Sequence, residues 1–230
     1  MESKIEILAF HGWGFDGTFW DSWKEVLPDE VLLKPADKGY FGGEFNPEFS
    51  ENAKAKVLFL HSYGVHWCPI ELFIQADSIV VFNGFNSFHP LERREKSKSK
   101  KVLSLMVKQF KANPKRVLQA FRSNCFYPET SASQDFNWMN TTKLKTDLAS
   151  LHKTRLKLPK EFSSNWVILD SSEDKIVPGS RAKELDTLGT VNHQNFEGCG
   201  HALPVVNILD CWSYLCAVIP IFKEYGDHTK

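Results

Sequence analysis

Six short apolar runs punctuate the chain: Ile5–Phe10, Val31–Lys34, Val57–His61, Ser78–Phe82, Trp166–Leu169 and Val191–Phe196. Turn residues or stretches with helical spacing separate them. Continuous apolar runs of this length read as strands buried on both faces, the pattern of a parallel sheet with helical crossovers. The expected fold class is therefore α/β: a mostly parallel, doubly wound open sheet of about six strands. Ligands of such sheets gather at the carboxyl ends of the strands, so the residues just after each run are where chemistry is expected.

Between the fourth and fifth runs the pattern changes. Val102, Leu103, Leu105, Met106, Val107 and Phe110, then Val117, Leu118 and Phe121 beyond Pro114, recur at helical spacing with Lys and Arg between them. They predict two short amphipathic helices, with Pro114 at the first position of the second. Residues 123–141, rich in Ser, Asn and Thr, read as an irregular loop or lid. Charge marks off the same region. The chain carries 28 Lys and Arg against 28 Asp and Glu, yet His89–Lys157 holds 16 of the basic residues and only Glu92, Glu95, Glu129, Asp135 and Asp147 of the acidic ones. A segment of +11 thus sits in a body of −11. Residues 89–157 read as a basic helical insertion in a single domain of residues 1–230. Its cationic face is either simply solvated or a surface for an acidic partner.

At 230 residues and 26.3 kDa the chain has room for one full core and not for two ordinary domains. Hydrophobic residues at 42% and charged residues at 24% describe a globular protein and exclude a polybasic nucleic-acid binder. No window approaches the ~20 apolar residues of a membrane helix. The first residues, Met1 to Glu6, carry acids where a signal peptide has only positive charge. A cytoplasmic monomer without membrane or nucleic-acid partners is expected. The five cysteines, Cys68, Cys125, Cys199, Cys211 and Cys216, are odd in number, scattered and free of any C-x-x-C pair, so reduced thiols and no metal site are expected. The 18 Phe, 7 Trp and 5 Tyr suggest pockets with aromatic walls.

Three loops carry the candidate chemistry. The first run ends in His11-Gly-Trp-Gly14, where small residues allow a tight turn with N–H groups facing an anion. The third ends in Leu60-His-Ser-Tyr-Gly64, a nucleophile elbow in which Leu60 replaces the first glycine of G-x-S-x-G. The fifth precedes Asp170-Ser-Ser-Glu-Asp174-Lys-Ile-Val-Pro178, and the sixth precedes Gly198-Cys-Gly-His201. Ser, Asp and His in that order, each just past a strand, form the arrangement of a hydrolytic triad. Ser62 is the candidate nucleophile and His201 the base that takes its proton. Asp174, with Asp170 and Glu173 as neighbouring alternatives, is the acid that fixes the imidazole. The N–H groups of Trp13 and Tyr63 would form the oxyanion hole. His61 and His66 read as structural.

On these segments the chain resembles the α/β-hydrolase superfamily and, within it, the small carboxylesterases of biotin synthesis that cleave pimeloyl-[acyl-carrier-protein] methyl ester. The match covers Ile5–Trp23, Val57–Gly64, Ser78–Phe88, Trp166–Pro178 and Phe196–Pro204, about a quarter of the chain. The resemblance implies Ser62, Asp174 and His201 as the triad, Trp13 and Tyr63 as oxyanion donors, and no cofactor or metal. In that superfamily an insertion after the sixth strand caps the nucleophile, and residues 89–157 fall in that interval. The implied partner is an acyl carrier protein, which is strongly acidic. Arg93, Arg94, Lys96, Lys98, Lys100, Lys101, Lys108, Lys111, Lys115 and Arg116 are its candidate contacts.

The chain departs from the pattern at Leu60, at Val65 and His66 where small residues are usual, and at 39–56, which is too short for the usual full helix. With the first strand beginning at Lys4 or Ile5, the two N-terminal antiparallel strands common in the superfamily are not expected. The likeness is to the divergent short esterases. Two rival readings stand beside it: a thioesterase or small-ester hydrolase using the same triad, and a catalytically silent hydrolase fold that serves as a binding protein.

Overall fold

The computed structural model describes residues 4–130, 138–157, 165–178, 181, 184–185 and 191–228. Its centre is a six-stranded sheet of β1 (Ile5–Phe10), β2 (Val31–Pro35), β5 (Ala55–His61), β6 (Ser78–Phe82), β7 (Asn165–Ser171) and β8 (Val191–Phe196). All pairings are parallel and the order is β2-β1-β5-β6-β7-β8. Each of the six apolar runs is a strand, with β5 and β7 starting earlier than the run and β2 and β7 ending later. Alternate residues feed two cores. Ile7, Val57, Phe59, Val80, Phe82, Val167 and Leu169 join Trp20, Trp23, Trp212 and Phe222 on one face. Leu8, Phe10, Leu58, Leu60, Ile79, Val81 and Ile168 join Leu72 and Phe73 on the other.

The order of strands reverses between β1 and β5, because the chain leaves β1 toward β2 and returns on the opposite side. The crevice at such a switch point is where an open α/β sheet binds ligands. The loop after β1 and the elbow after β5 flank it.

Between β2 and β5 stand only β3 (Asp37–Lys38) and β4 (Glu44–Phe45), a short antiparallel ribbon, so the interval lacks a full helix as expected. Behind the elbow the helix is broken into α1 (Gly64–Trp67) and α2 (Ile70–Gln75). Pro69 disfavours helical geometry in the residue before it, and Cys68 is extended at φ −60 and ψ 127.

Three helices lie between β6 and β7: α3 (Arg93–Ala112), α4 (Pro114–Phe126) and α5 (Thr141–Ser150). Here the sequence reading needs correction. At 20 residues α3 is far longer than a short helix, because the Glu92 carboxylate caps it by accepting the N–H groups of Arg94 at 2.9 Å and Glu95 at 2.7 Å. Its solvated first turns carry no apolar periodicity, so the pattern began only at Val102. Pro114 opens α4 as expected, with the Asn113 side chain as cap. However, α4 runs into the stretch read as irregular, and α5 is a helix that the apolar pattern does not predict. Its buried positions are Leu144 and Leu148, one turn apart. After β8 follow α6 (Leu203–Val206), α7 (Ile208–Val218) and a 3₁₀ segment, Pro220–His228. No described helix is long and apolar enough to cross a membrane.

Candidate active site

The elbow places Ser62 at φ +53, a left-handed conformation that costs a non-glycine residue energy and persists only where its surroundings impose it. Two contacts impose it. The Ser62 N–H donates to the Phe82 carbonyl at 3.0 Å. At Gly64 a Cβ would lie 2.3 Å from the Phe10 carbonyl oxygen, so this position of the motif admits only glycine. The other elbow glycine is replaced by Leu60, which is fully buried in the second core, and only one helical turn follows the elbow on that side.

His201 joins the other two residues. Its Nδ1 lies 2.7 Å from Asp174 Oδ2, and its Nε2 lies 2.8 Å from Ser62 Oγ. All three are buried, at 5% exposure for Ser62, 8% for Asp174 and 0% for His201. An imidazole that donates Nδ1–H to a carboxylate presents a bare Nε2 to the serine hydroxyl. The other Asp174 oxygen accepts the N–H groups of Ile176 at 2.7 Å and Val177 at 2.8 Å. The neighbouring acids are engaged elsewhere: Asp170 meets Asn195 at 2.6 Å and His193 at 3.1 Å, and Glu173 faces solvent.

Among the described residues, the backbone N–H groups of Trp13 and Tyr63 donate to no other protein group. Their side chains anchor both loops to α5. Trp13 Nε1–H donates to the Leu144 carbonyl at 2.8 Å, and the Tyr63 hydroxyl meets Ser150 Oγ at 3.2 Å. Burial pushes the Tyr63 phenol up to about 12, so it stays neutral. His61 and His66 are structural, as expected: His66 Nε2–H donates to the Phe85 carbonyl at 2.9 Å, and burial holds that ring down to about 4.

Sequence reading missed Asn83. It directly follows β6 at φ +48, and its amide donates to the carbonyls of Gly200 at 3.2 Å and His201 at 3.0 Å and to Ser171 Oγ at 3.0 Å. The signal was available, since Asn83 is the polar residue directly after the fourth apolar run.

A cavity of about 300 Å³ opens onto Ser62. Trp13, Phe85, Phe88, Leu103, Met106, Phe121, Leu148 and Leu151 form its apolar walls, and Glu95, Lys98, Lys175 and Arg181 supply charge on the lining. Arg93, Arg94, Lys96, Lys98, Lys100, Lys101, Lys108 and Lys111 are exposed along α3, and Lys115 and Arg116 are exposed on α4. Lys98 pairs with Glu95 at 2.7 Å. Val102 and Leu105 are also exposed among these cations, at 67% and 54%. Among the described residues no three His, Cys, Asp or Glu side chains converge as a metal site would require.

No family model matches the sequence, and no curated protein matches it. Solved structures do match. The esterase EaEST from Exiguobacterium antarcticum superposes at a TM-score of 0.73 with 12% identity, covering 94% of this chain and 92% of that one. The esterase RhEst1 from Rhodococcus sp. ECU1013 gives 0.67 with 16% identity over 93% and 90%. MGS-M2, an alpha/beta hydrolase enzyme from a Medee basin deep-sea metagenome library, gives 0.64 with 14% identity over 93% and 88%. Sheet order, elbow and these likenesses agree on one architecture: the chain has the α/β-hydrolase fold.

Proposed function

We propose that the protein is a serine carboxylesterase acting on a carrier-bound acyl methyl ester, with pimeloyl-[acyl-carrier-protein] methyl ester as substrate. The observation that carries this reading is the hydrogen-bonded series Asp174–His201–Ser62 at one end of an apolar cavity walled in part by cationic helices. Ser62 Oγ attacks the ester carbonyl while its proton passes to His201 Nε2, and Asp174 stabilises the imidazolium. The N–H groups of Trp13 and Tyr63 receive the oxyanion, an interaction worth ~2.7–4 kcal/mol per donor in comparable sites. His201 then protonates the departing methanol. A water that gives its proton to the same nitrogen cleaves the acyl-enzyme, releasing the acid and restoring Ser62. The residues use no metal or cofactor in these steps.

Residues 89–157 act as the cap, and the exposed cations of α3 and α4 receive the acidic carrier. Attraction of that kind raises the encounter rate and weakens with salt. Esterases among the structural neighbours support ester hydrolysis, and the charge of the cap supports the carrier. The test is hydrolysis of pimeloyl-carrier methyl ester and of a free short-chain ester by wild type and Ser62→Ala, at low and moderate salt. Ser62-dependent turnover that salt slows only on the carrier substrate is the expected result. Cleavage of the free ester alone would leave the triad and remove the carrier, and cleavage of a thioester in preference would select the thioesterase. A folded protein that takes no fluorophosphonate on Ser62 would be a silent scaffold.

A further inference from the structure

One face of α4 reaches both loops that hold the proposed chemistry. Leu118, Phe121, Arg122 and Cys125 fall at i, i+3, i+4 and i+7, and all four are buried. At Gly14, where φ is +76, a Cβ would lie 2.9 Å from Leu118 Cδ1, so α4 packs directly on the turn after Trp13. Arg122 Nε–H donates to the Gly14 carbonyl at 2.8 Å. Farther along, the Cys125 carbonyl accepts the N–H of Ala202, the residue after His201, at 2.8 Å.

Arg122 is unlike the other cations of its segment. It is only 9% exposed, and its guanidinium carbon lies 5.1 Å from the Phe15 ring centre and 5.0 Å from that of Phe41. Burying a guanidinium is costly unless aromatic faces and hydrogen bonds replace its water, and both are present here. A side chain serving only solubility would not be placed there.

We infer that Arg122 is a positioning residue for the oxyanion hole, holding the Gly14 carbonyl so that the turn aims the Trp13 N–H at the reacting oxygen. The inference rests on the esterase reading above. Trp13 Nε1 on the Leu144 carbonyl fixes one side of this turn, and Arg122 fixes the other. A donor displaced by a fraction of an ångström still permits substrate binding but fails the transition state, so the loss falls on kcat.

The experiment compares wild type, Arg122→Met and Arg122→Lys on a free short-chain ester, which removes carrier docking from the comparison. It also compares their affinity for a trifluoromethyl ketone, which forms a tetrahedral adduct with the serine, and for the product acid. Arg122→Met is expected to lower kcat about 10- to 100-fold with KM within about twofold of wild type. Ketone affinity should fall by a similar factor while acid affinity stays, and Arg122→Lys should recover part of both losses. A folded Arg122→Met with wild-type kcat overturns the inference, as does equal weakening of ketone and acid. If Arg122→Met fails to fold, Arg122→Lys decides: wild-type kcat there assigns the arginine to stability alone, and a selective loss of ketone affinity upholds the positioning role. Wild-type protein that neither hydrolyses the ester nor takes a fluorophosphonate overturns the esterase reading and this inference together. An active wild type separates the two.

Discussion

His61 donates from Nε2 to the carbonyl oxygen of His201 at 2.9 Å, so the residue just before the proposed nucleophile holds the backbone of the proposed base. The ring is fully buried and stacks on Phe19 at 4.5 Å between centres. Burial, reinforced by His201, holds its pKa well below the ordinary histidine value, so it remains a neutral donor. Gly12 makes room for it: a Cβ there would lie 2.9 Å from His61 Nδ1. With Asn83 on the same carbonyl, the loop of the base is held from two strands. His61→Phe, which keeps an aromatic ring and removes the donor, is expected to lower kcat about tenfold or more with little change in KM. Steady-state kinetics on a free ester would check this, and unchanged kcat would assign that carbonyl wholly to Asn83.

Asp174→Asn should retain the loop, because an amide oxygen can still accept from Ile176 and Val177. It would present an NH₂ group to His201 Nδ1 and favour the wrong tautomer. The expected loss is about 10⁴-fold in kcat, as for the corresponding change in other triads. The rate of Ser62 labelling by a fluorophosphonate is the direct readout, and Asp170→Asn should label at close to the wild-type rate.

Restoring the usual elbow glycine should harm this protein. Leu60 is fully buried among Phe10, Leu58, Val65 and Leu72. Leu60→Gly would remove that packing and loosen the strand, at an expected cost of about 3–5 kcal/mol measured by urea denaturation. A variant as stable as wild type would mean that the core closes over the missing side chain.

Acid should destabilise the fold over a defined window. Burial is the main cause that holds His11 and His66 each down to about 4, from an ordinary value near 6.5. Between those values the unfolded chain binds protons that the folded chain refuses, so stability is full above about pH 6.5 and falls as pH drops toward 4. Each ring contributes up to about 1.4 kcal/mol per pH unit. Melting temperatures between pH 7 and 4.5 would show the decline, and His66→Gln should make it shallower by one proton's contribution.

The sheet was legible because strands buried on both faces leave uninterrupted apolar runs, and the hydrogen-bonded grouping of Ser62, His201 and Asp174 because each follows such a run. The helices of 93–150 were less legible for opposite reasons. The first turns of α3 lie in solvent and bury nothing, so no periodicity marks them, while α5 buries only Leu144 and Leu148. Arg122 is, in the sequence, only one of the 16 basic residues of 89–157, because only packing distinguishes a buried guanidinium from an exposed one. Asn83 acts across the sheet on a loop more than a hundred residues away, a relation that no local pattern encodes.

The single turn of α1 has an electrostatic consequence. A long helix starting behind a nucleophile sums its peptide dipoles into roughly half a unit of positive charge at its first turn, aimed at the forming anion. Four residues, ended at Cys68–Pro69, sum very little. The proposed oxyanion would therefore be stabilised by individual short-range donors rather than by a diffuse field, and small displacements of two loops would matter more to rate than the charge of the whole scaffold.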